Sequence, residues 1–333
     1  MKIFITGAAG YIGSKLSMTL AREGHTVHAL VRSPVSAKWI TDPNIKVFTG
    51  DIQDIESVRR AMQDCEQVYH VAGKAGVWAE DKSVFYNINV EGTRHVLDVA
   101  KAVGVRKIVY TSSCGVLGPS LNKPLAENDQ RTVRFALDYD KSKKMAEDLV
   151  AEYVKEGLDV VIVSPAKVFG PGHISHSLMM NAIIKSFLNK RITFVPSPGT
   201  FRVGFVSVDD IVSGHILAME KGVAGETYIL GGTNLSHFEF FNRLRCLSSV
   251  KARIVMVPKS IIKAWAFIQI LSHWFWGTSV MLTPASVDHL FSHYIFSSDK
   301  AIRELGYTIT PMDEVLQQTI HYLRHENGNN ATS

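Results

Sequence analysis

The sequence predicts an α/β fold in which helices cover both faces of a doubly wound, parallel sheet. Short apolar runs alternate with segments whose apolar residues recur at helical spacing, as in strand–helix–strand units. The first apolar run, residues 2–6, ends in a glycine-rich turn that leads directly into a helical segment. Because ligands of such sheets bind beyond the carboxyl ends of the strands, we expect the functional residues there.

The alternation places strands and helices in a regular order over the first half of the chain. The predicted strands cover residues 2–6, 26–31, 45–49, 67–71, 107–111 and 160–163. The predicted helices cover residues 11–23, 55–63, 89–103 and 139–156. After Pro171 the pattern loosens, and only 205–211 and 227–230 look like strand ends that return to the sheet.

These elements predict two interleaved parts. Residues 1–170 and 203–232 would form the domain that carries the sheet. Residues 171–202 and 233–325 would form a smaller C-terminal lobe that carries the substrate contacts. Residues 326–333 are mostly polar and are predicted to be a disordered tail.

The turn after the first strand has the glycine spacing of a dinucleotide-binding site. Gly7 allows a tight turn, Gly10 lets a pyrophosphate approach the backbone, and Gly13 lets the helix lie close to the strand. The dipole and free N–H groups of a helix N-terminus favour an anion, so Tyr11 and Ile12 are also predicted to contact the cofactor. The order glycine–serine–lysine excludes a phosphate-loop NTPase, in which lysine precedes serine. The order of strand, turn and helix is that of a Rossmann domain.

The end of the second strand indicates which dinucleotide is preferred. An NAD-specific site usually has an acid here to bind the ribose hydroxyls, whereas this chain has Arg32. A guanidinium can pair with a 2′-phosphate through two hydrogen bonds, and Lys38 would add a second positive charge. We therefore expect NADP(H) as the preferred cofactor, with NAD(H) possible. The alternative is that Arg32 is a solvated surface side chain.

Two further strand ends are predicted to contact the cofactor. Asp51 follows the third strand and can accept a hydrogen bond from an adenine amino group, with Ile52 beside it. Alternatively, Asp51 caps the next helix, a role that Asp54 could also take. The small residues after the fourth strand would form a flat floor for ribose and phosphates; they are Val71, Ala72 and Gly73.

The catalytic hypothesis concerns residues that follow the fifth strand and begin the next long helix. Tyr139 and Lys143 are four residues apart and share one helical face. A free phenol has a pKa of about 10, and a neighbouring ammonium, aided by an oxidised nicotinamide, would lower it. Tyr139 could then exchange a proton with a carbonyl or alcohol while hydride moves to or from nicotinamide. Ser113 would hydrogen-bond the same substrate oxygen.

Several of these segments match one family. They are residues 6–13, 50–51, 70–72, 89–93, 110–113, 139–143, 165–171 and 205–210. Over nearly its whole length the chain resembles the extended short-chain dehydrogenase/reductases. Residues 31–32 and 225–232 make it most similar to dihydroflavonol-reductase-like and 3β-hydroxysteroid-dehydrogenase-like members. The resemblance implies a catalytic triad of Ser113, Tyr139 and Lys143. It also implies that the residues beside nicotinamide include Pro165, Ala166 and Val168.

The chain departs from the sugar-nucleotide members of this group at two places. Residues 164–167 read Ser–Pro–Ala–Lys, where many epimerases and dehydratases have Arg–Pro–x–Asn. Cys114 follows Ser113, where dehydratases carry an acid after threonine. We therefore expect an NADP(H)-dependent oxidoreductase that acts on the carbonyl or secondary alcohol of a largely apolar small molecule. The alternatives are an NAD-dependent sugar-nucleotide epimerase and a non-catalytic dinucleotide-binding regulator, against which the intact triad argues.

The composition indicates which kinds of partner the chain is not expected to bind. The net charge is +5, but lysine and arginine are scattered among acids, so nucleic acid is not an expected partner. The 3 cysteines lack metal-ligand spacing and the first strand begins at residue 2, which favours a reduced, cytoplasmic location without a signal peptide. No metal site is expected, because His289 and His293 lack a further ligand at suitable spacing. His173 and His176 are expected in a loop near the cleft.

Residues 261–276 form the most apolar segment. We interpret it mainly as core of the second lobe, alternatively as a wall or lid of an apolar substrate pocket, and least as an interfacial membrane contact. A membrane is therefore not an expected partner. On the helix over 139–156, two apolar stripes, one through Leu149 and one through Val150, indicate burial on two sides, so a homodimer is possible.

Overall fold

The structure is a computed structural model that describes residues 1–121, 123–172, 179–190 and 192–329. Within these residues the chain forms one large sheet and two small ones, with helices on both faces of the large sheet. His173 and His176 lie outside the described residues, so their position near the cleft stays a prediction.

The strands of the described residues alternate with helices as far as β6. They are β1 (Lys2–Thr6), β2 (Thr26–Val31), β3 (Ile45–Thr49), β4 (Gln67–His70), β5 (Lys107–Thr111), β6 (Val160–Pro165), β7 (Lys167–Phe169), β8 (Ile192–Pro196), β9 (Arg202–Ser207), β10 (Thr227–Leu230), β11 (Thr233–Ser236) and β12 (Arg253–Val257). The large sheet has the order β10–β6–β5–β4–β1–β2–β3, and all its pairings are parallel. Its order reverses between β1 and β4, and dinucleotides bind at such a crevice.

The α-helices of the described residues either cover the two faces of this sheet or belong to the later part of the chain. They are α1 (Tyr11–Arg22), α2 (Ile55–Met62), α3 (Ser83–Tyr86), α4 (Gly92–Val103), α5 (Asp138–Lys155), α6 (Met179–Lys190), α7 (Val208–Lys221), α8 (His237–Ser248), α9 (Lys259–Trp276), α10 (Pro284–Leu290) and α11 (Met312–Asn329). Leu16 of α1 and Ile211 of α7 lie in the core on one face. Val58 of α2, Val96 of α4 and Ala146 of α5 lie in the core on the other.

The predicted doubly wound, parallel sheet is confirmed. Its strands and helices begin and end within three residues of the predicted bounds. This agreement follows from burial on both faces, which makes parallel strands continuous apolar runs; every residue of β6, for example, is buried.

The segment 205–211 is a correction, because it does not return to the large sheet. β9 pairs with β7 and β11 in a separate three-stranded sheet, and α7 begins at Val208. The Ser207 hydroxyl caps α7 by accepting from the Asp209 N–H at 3.1 Å, and Asp209 and Asp210 place negative charge in the first turn. These capping residues end the strand where apolar content alone suggests that it continues.

The later part of the chain has a core of its own. β8 and β12 pair in parallel, and apolar side chains of α6, α8 and α11 pack beside them, among them Ile184, Phe187, Phe240, Leu244 and Leu316. α11 extends to Asn329, and the disorder predicted for the tail from residue 326 stays a prediction. Extending a formed helix costs less than nucleating one, so a polar end can continue an amphipathic helix. Residues 330–333 lie outside the described part.

α9 is a second correction. The sequence assigns it mainly to the core, yet Ala266 is its one buried residue. None of the helices in the described ranges is long and apolar enough to cross a lipid bilayer. Hydrophobic content therefore singled out this segment without indicating what it packs against.

Candidate active site

The glycine turn between β1 and α1 forms a cradle that any Cβ atom would fill. Gly7 has a φ of +68°, and a Cβ there would lie 2.7 Å from the backbone nitrogen of Ala72. A Cβ on Gly13 would lie 2.2 Å from the carbonyl oxygen of Gly7. Gly10 precedes α1, and among the described residues no side chain caps this helix and no acid stands in its first turn. The free N–H groups therefore fit the pyrophosphate of a dinucleotide.

Tyr11 and Lys15 fix α1 against the chain that follows β7. Tyr11 Oη donates to the carbonyl oxygen of Gly170 at 2.7 Å, and burial raises the pKa of this phenol. Lys15 Nζ donates to the carbonyl oxygen of Pro171 at 3.1 Å and pairs with Asp209 at 2.6 Å. The hydroxyl of Tyr11 thus already donates to a group of the protein. The predicted contact of Tyr11 with the cofactor would therefore be made by its backbone N–H.

A buried hydrogen-bond network supports the floor predicted at residues 71–73. The N–H of Ala72 donates to Thr6 Oγ1 at 3.1 Å. Thr6 Oγ1 lies 2.7 Å from His70 Nδ1, and His70 Nε2 lies 2.9 Å from Thr93 Oγ1. Burial lowers the pKa of His70 to about 3, so the imidazole is neutral and acts as a hydrogen-bonded link.

The side chains predicted to select the cofactor are exposed beyond the end of β2. Arg32 follows Val31, the last residue of β2, and is exposed. Lys38 is also exposed, and its Nζ lies 4.8 Å from the centroid of the Trp39 ring. Both cations are accessible to a ligand that lies along the carboxyl end of β2.

Asp51 and Ile52 take different positions after β3. Asp54, rather than Asp51, caps α2, because its carboxylate accepts from the first turn of the helix. Asp51 accepts from the N–H of Gln53 at 2.9 Å and is partly exposed, so its contact with adenine stays a prediction. Ile52 is buried, and a Cβ on Gly92 would lie 2.7 Å from its Cδ1. The side chain of Ile52 therefore packs on α4.

The three predicted catalytic side chains come together at the carboxyl end of β5. The Ser113 hydroxyl acts as a hydrogen-bond partner that lowers the pKa of Tyr139, and its oxygen also accepts from the N–H of Gly115 at 3.1 Å. Lys143 lies one turn along α5, is buried, and donates from Nζ to the carbonyl oxygen of Thr111 at 2.6 Å. The structure brings these groups together, and their catalytic roles stay a prediction.

The pKa values in this group differ from the expectation. Burial raises the pKa of Tyr139 to about 12; the Ser113 hydroxyl lowers it and the Asp140 carboxylate raises it. Burial lowers the pKa of Lys143 to about 7, against the opposing effect of Glu147. Desolvation is the main cause of the Tyr139 shift, and Lys143 is not among the protein groups that change this pKa. The Lys143 ammonium donates to a backbone carbonyl, and its expected effect on Tyr139, aided by oxidised nicotinamide, stays a prediction.

Asn89 ties the floor to α5, a role that sequence reasoning missed. Its Oδ1 accepts from the N–H of Lys74 at 2.7 Å, and its Nδ2 donates to the carbonyl oxygen of Lys74 at 3.1 Å. Nδ2 also donates to Ser142 Oγ at 2.8 Å, and Ser142 Oγ donates to the carbonyl oxygen of Tyr139 at 2.8 Å. Asn89 lies in a π-helical turn (Asn87–Glu91) and is buried. The sequence offered one indication of this role, because Asn89 is a polar residue at the start of a segment with helical apolar spacing.

The predicted nicotinamide contacts lie across from α5, along β6 and β7. Pro165 ends β6 and is buried. The N–H of Ala166 donates to the carbonyl oxygen of Leu230 at 3.1 Å. Val168 packs with Ile12 in the cluster that contains Tyr11, so the glycine turn and this wall adjoin.

A group of basic side chains lies beside this wall, and the sequence did not connect its members. Lys167 Nζ lies 5.9 Å from the centroid of the Phe205 ring. The centroid of the His237 ring lies 6.3 Å from that same Phe205 centroid. The His289 ring stacks on Tyr294 at 3.7 Å. Burial lowers the pKa of Lys167 to about 8 and that of His289 to about 4, and the charge of Lys167 lowers the latter further. The members come from distant segments, so their spacing gave no signal.

Across the described ranges, no group of three or more His, Cys, Asp or Glu residues could hold a metal ion. His289 and His293 also have different partners. His289 stacks on Tyr294, whereas His293 Nδ1 accepts from the N–H of Arg202 at 3.1 Å.

The chain is similar to known proteins over nearly its whole length. It is 29% identical to sterol demethylase protein B of Methylococcus capsulatus over 330 residues, which cover 97% of this chain and 98% of that protein. It is 28% identical to a putative dihydroflavonol 4-reductase of Synechocystis over 330 residues, which cover 97% and 94%. The solved UDP-glucose 4-epimerase of Thermotoga maritima has the same fold, with a TM-score of 0.81, 22% identity, and coverage of 98% of this chain and 100% of that one.

A family model matches residues 3–231, which run from β1 to the residue after β10. This range includes the glycine cradle, the floor after β4, and the group formed by Ser113, Tyr139 and Lys143. The relatives, the fold and the matched range agree with the resemblance to extended short-chain dehydrogenase/reductases. The chain belongs to the NAD dependent epimerase/dehydratase family.

Proposed function

We propose that the protein is an NADP(H)-dependent oxidoreductase. It transfers hydride between nicotinamide and the carbonyl or secondary alcohol of a largely apolar small molecule. The observation that carries this proposal is the Ser113 hydroxyl facing Tyr139 at the carboxyl end of β5, with Lys143 buried one turn along the same helix. In this topology, that edge of the sheet is where ligands bind.

The cradle and floor fit a dinucleotide, and the family binds NAD(P). The backbone at Gly10 and Tyr11 would hold the pyrophosphate, and residues 71–73 would lie under the ribose and phosphates. Arg32 would pair with a 2′-phosphate, and its exposure supports that role. Residues 171–202 and 233–325 would supply the lobe that contacts the substrate.

Bound nicotinamide would supply or accept the hydride. Tyr139, with a pKa of about 12, is protonated at neutral pH and can donate this proton to a carbonyl oxygen. Ser113 would hold the same oxygen by a hydrogen bond. Lys143 is fixed by the carbonyl of Thr111 and would reach the nicotinamide ribose.

Two observations support an apolar substrate. Lys167 stands where many sugar-nucleotide enzymes have asparagine, so one of their expected polar contacts is absent from residues 164–167. The relatives named above are a sterol demethylase and a putative dihydroflavonol reductase, and these names point to extended, largely apolar substrates.

An NAD-dependent sugar-nucleotide epimerase is the second candidate. The family name and the fold shared with UDP-glucose 4-epimerase favour it. An epimerase should purify with NAD bound and show no net cofactor turnover, whereas an oxidoreductase should consume added NADPH or NADP⁺. A non-catalytic regulator would bind the dinucleotide and do neither.

The test is a panel of aromatic, steroid-like and long-chain ketones and aldehydes with their alcohols. Nicotinamide absorbance is followed with NADP(H) and NAD(H) in parallel. We expect turnover with several apolar members and a preference for NADP(H). UDP- and GDP-sugars serve as competitors in the same assay. Tight binding of these sugars together with no turnover of the panel would replace the proposal with the epimerase.

A further inference from the structure

α9 turns its apolar face outward, while several of its polar side chains bond to the rest of the protein. Most of its large apolar side chains are exposed, at three- and four-residue spacing: Ile261, Trp265, Phe267, Ile268, Leu271, Trp274 and Phe275. Trp276 is exposed beside them, and Trp274 is 81% exposed. A soluble amphipathic helix shows the opposite arrangement, with its apolar stripe facing the core.

The polar residues of α9 are engaged with the protein. Lys263 pairs with Asp288 at 2.9 Å. Gln269 Oε1 accepts from the N–H of Met281 at 2.8 Å. His273 Nδ1 donates to the carbonyl oxygen of Thr278 at 2.7 Å. The inward side of the helix is thus held by specific contacts, and the outward apolar face is a stable feature of the fold.

The stretch of sequence around α9 carries cations only, although two acids from outside it pair with some of them: Asp288 pairs with Lys259 and Lys263, and Asp313 pairs with Arg243. Between Glu239 and Asp288, residues 240–287 contain no acid, and their cations are Arg243, Arg245, Lys251, Arg253, Lys259 and Lys263. Lys251 and Arg253 are exposed just before α9. In a symmetric dimer formed through this segment, two segments with an excess of positive charge would face each other. An anionic surface would instead complement them.

We propose that the apolar face of α9 docks in the interface of an anionic phospholipid bilayer, with the helix lying parallel to the membrane plane. A helix of 18 residues is about 27 Å long. Its tryptophans suit the headgroup level, where this residue is enriched in membrane proteins. Such helices bury their apolar face to a depth of about 5–10 Å and are aided by nearby cations.

The docked helix contacts a segment that leads to the candidate active site. The His273 ring lies 4.6 Å from the Trp78 ring, edge to face. Trp78 belongs to the segment between β4 and α3, which begins with the predicted floor and with Lys74 bound to Asn89. An apolar substrate dissolved in the bilayer would reach the site along this segment. That route rests on the proposed function, whereas the docking does not.

The test is flotation of the full-length protein with vesicles, without substrate or cofactor. Vesicles of phosphatidylcholine alone are compared with vesicles that contain an equal part of phosphatidylglycerol. We expect binding to the anionic vesicles, and weaker binding at about 1 M salt, where charges are screened beyond about 3 Å. Absence of binding to both kinds of vesicle would overturn the proposal.

Matched variants identify the surface. Leu271→Ser, Trp274→Ser and Phe275→Ser combined should lower binding by about tenfold or more, because each removes exposed apolar area. A control with Leu121→Ser, Phe194→Ser and Val223→Ser, which replaces equally exposed apolar side chains elsewhere, should bind as the wild type does. An equal loss in both would overturn the assignment to α9.

Three further measurements separate docking on a membrane from dimer formation and from the proposed activity. Lys251→Gln with Arg253→Gln should weaken binding to anionic vesicles about tenfold or more, since each cation near such a surface contributes about 1 kcal/mol. Light scattering of the wild type and the α9 triple variant tests for a dimer. A wild-type dimer that becomes monomeric in the triple variant would show that a second copy covers α9, and the proposal would fall. Vesicle binding by Tyr139→Phe should equal that of the wild type, whether or not the proposed activity is found.

Discussion

α5 and α9 are both 18 residues long, and they use their residues in opposite ways. Half of the residues of α5 are charged, yet it buries seven side chains, among them Lys143 and Asp140. α9 has two charged residues and buries one residue, Ala266. α5 packs against α4 and β6, whereas α9 packs mainly on α10. Burial therefore follows from what surrounds a helix, and polar residues buried against their usual preference indicate chemistry.

The largest effect should come from the phenol of α5. Tyr139→Phe removes the proposed acid and should lower turnover by roughly 10²–10⁴-fold while cofactor binding is retained. Tyr153→Phe is the matched control, because Tyr153 lies on the same helix and its hydroxyl bonds to Asp98, away from Ser113. Steady-state rates with fluorescence titration of NADPH measure both. Near-normal turnover in a folded Tyr139→Phe protein would remove Tyr139 from the mechanism.

One leucine in each helix allows the burial of α5 and α9 to be compared by the free energy of unfolding. Leu149 of α5 is 4% exposed and Leu271 of α9 is 58% exposed. Leu149→Ala should lower the free energy of unfolding by about 2–5 kcal/mol, because it leaves a cavity in the core. Leu271→Ala should change it by less than about 0.5 kcal/mol. Urea denaturation of the two variants measures both changes. An equal loss of unfolding free energy in the two variants would mean that α9 is buried in solution.

A charge outside both helices is expected to set the preference for the cofactor. Arg32→Asp should lower the affinity for NADPH relative to NADH by roughly 10–150-fold, the equivalent of a charge-assisted contact of about 1.5–3 kcal/mol. Arg60→Asp, at another exposed arginine, should leave the ratio unchanged. Fluorescence titration with both reduced cofactors provides the ratio. If the ratio is the same in Arg32→Asp and the wild type, Arg32 does not bind the phosphate.

The buried lysine of α5 should give the most gradual effect, a dependence of stability on pH that is small over any one pH unit. Burial lowers the pKa of Lys143 to about 7 in the folded chain, against about 10.4 in the unfolded one. Between these values the unfolded state holds a proton that the folded state lacks. The group therefore makes the free energy of unfolding rise with pH, by up to about 1.4 kcal/mol per pH unit.

Lys143→Met cannot hold this proton and should lack that rise. Denaturation of the variant and the wild type at several pH values between about 7 and 10 gives the difference in slope. Parallel curves would mean that Lys143 keeps its proton in the folded protein. The burial of its side chain would then be offset by the carbonyl of Thr111 and by Glu147.

The sequence predicted the large sheet well, because parallel strands are continuous apolar runs and each helix follows at once. It predicted less well where one signal competes with another. The capping residues after Ser207 ended a strand whose apolar content continued. Spacing placed Tyr139 and Lys143 on one helical face, but it carried no information on desolvation, which determines both pKa values. The partners of α9, Lys167 and His289 depend on long-range packing, which local pattern does not contain.

The small sheet of β7, β9 and β11 also has a consequence for the order of folding. The contact between Lys143 and Thr111 spans 32 residues and the pairing of Lys167 with Phe205 spans 38, whereas the bridge between Val203 and Tyr294 spans 91. Closing longer loops costs more entropy and slows the pairing of distant segments. We therefore expect the half of the site on β5 and α5 to form first, and the half on β7 to be completed last, when residues beyond 290 have joined the fold.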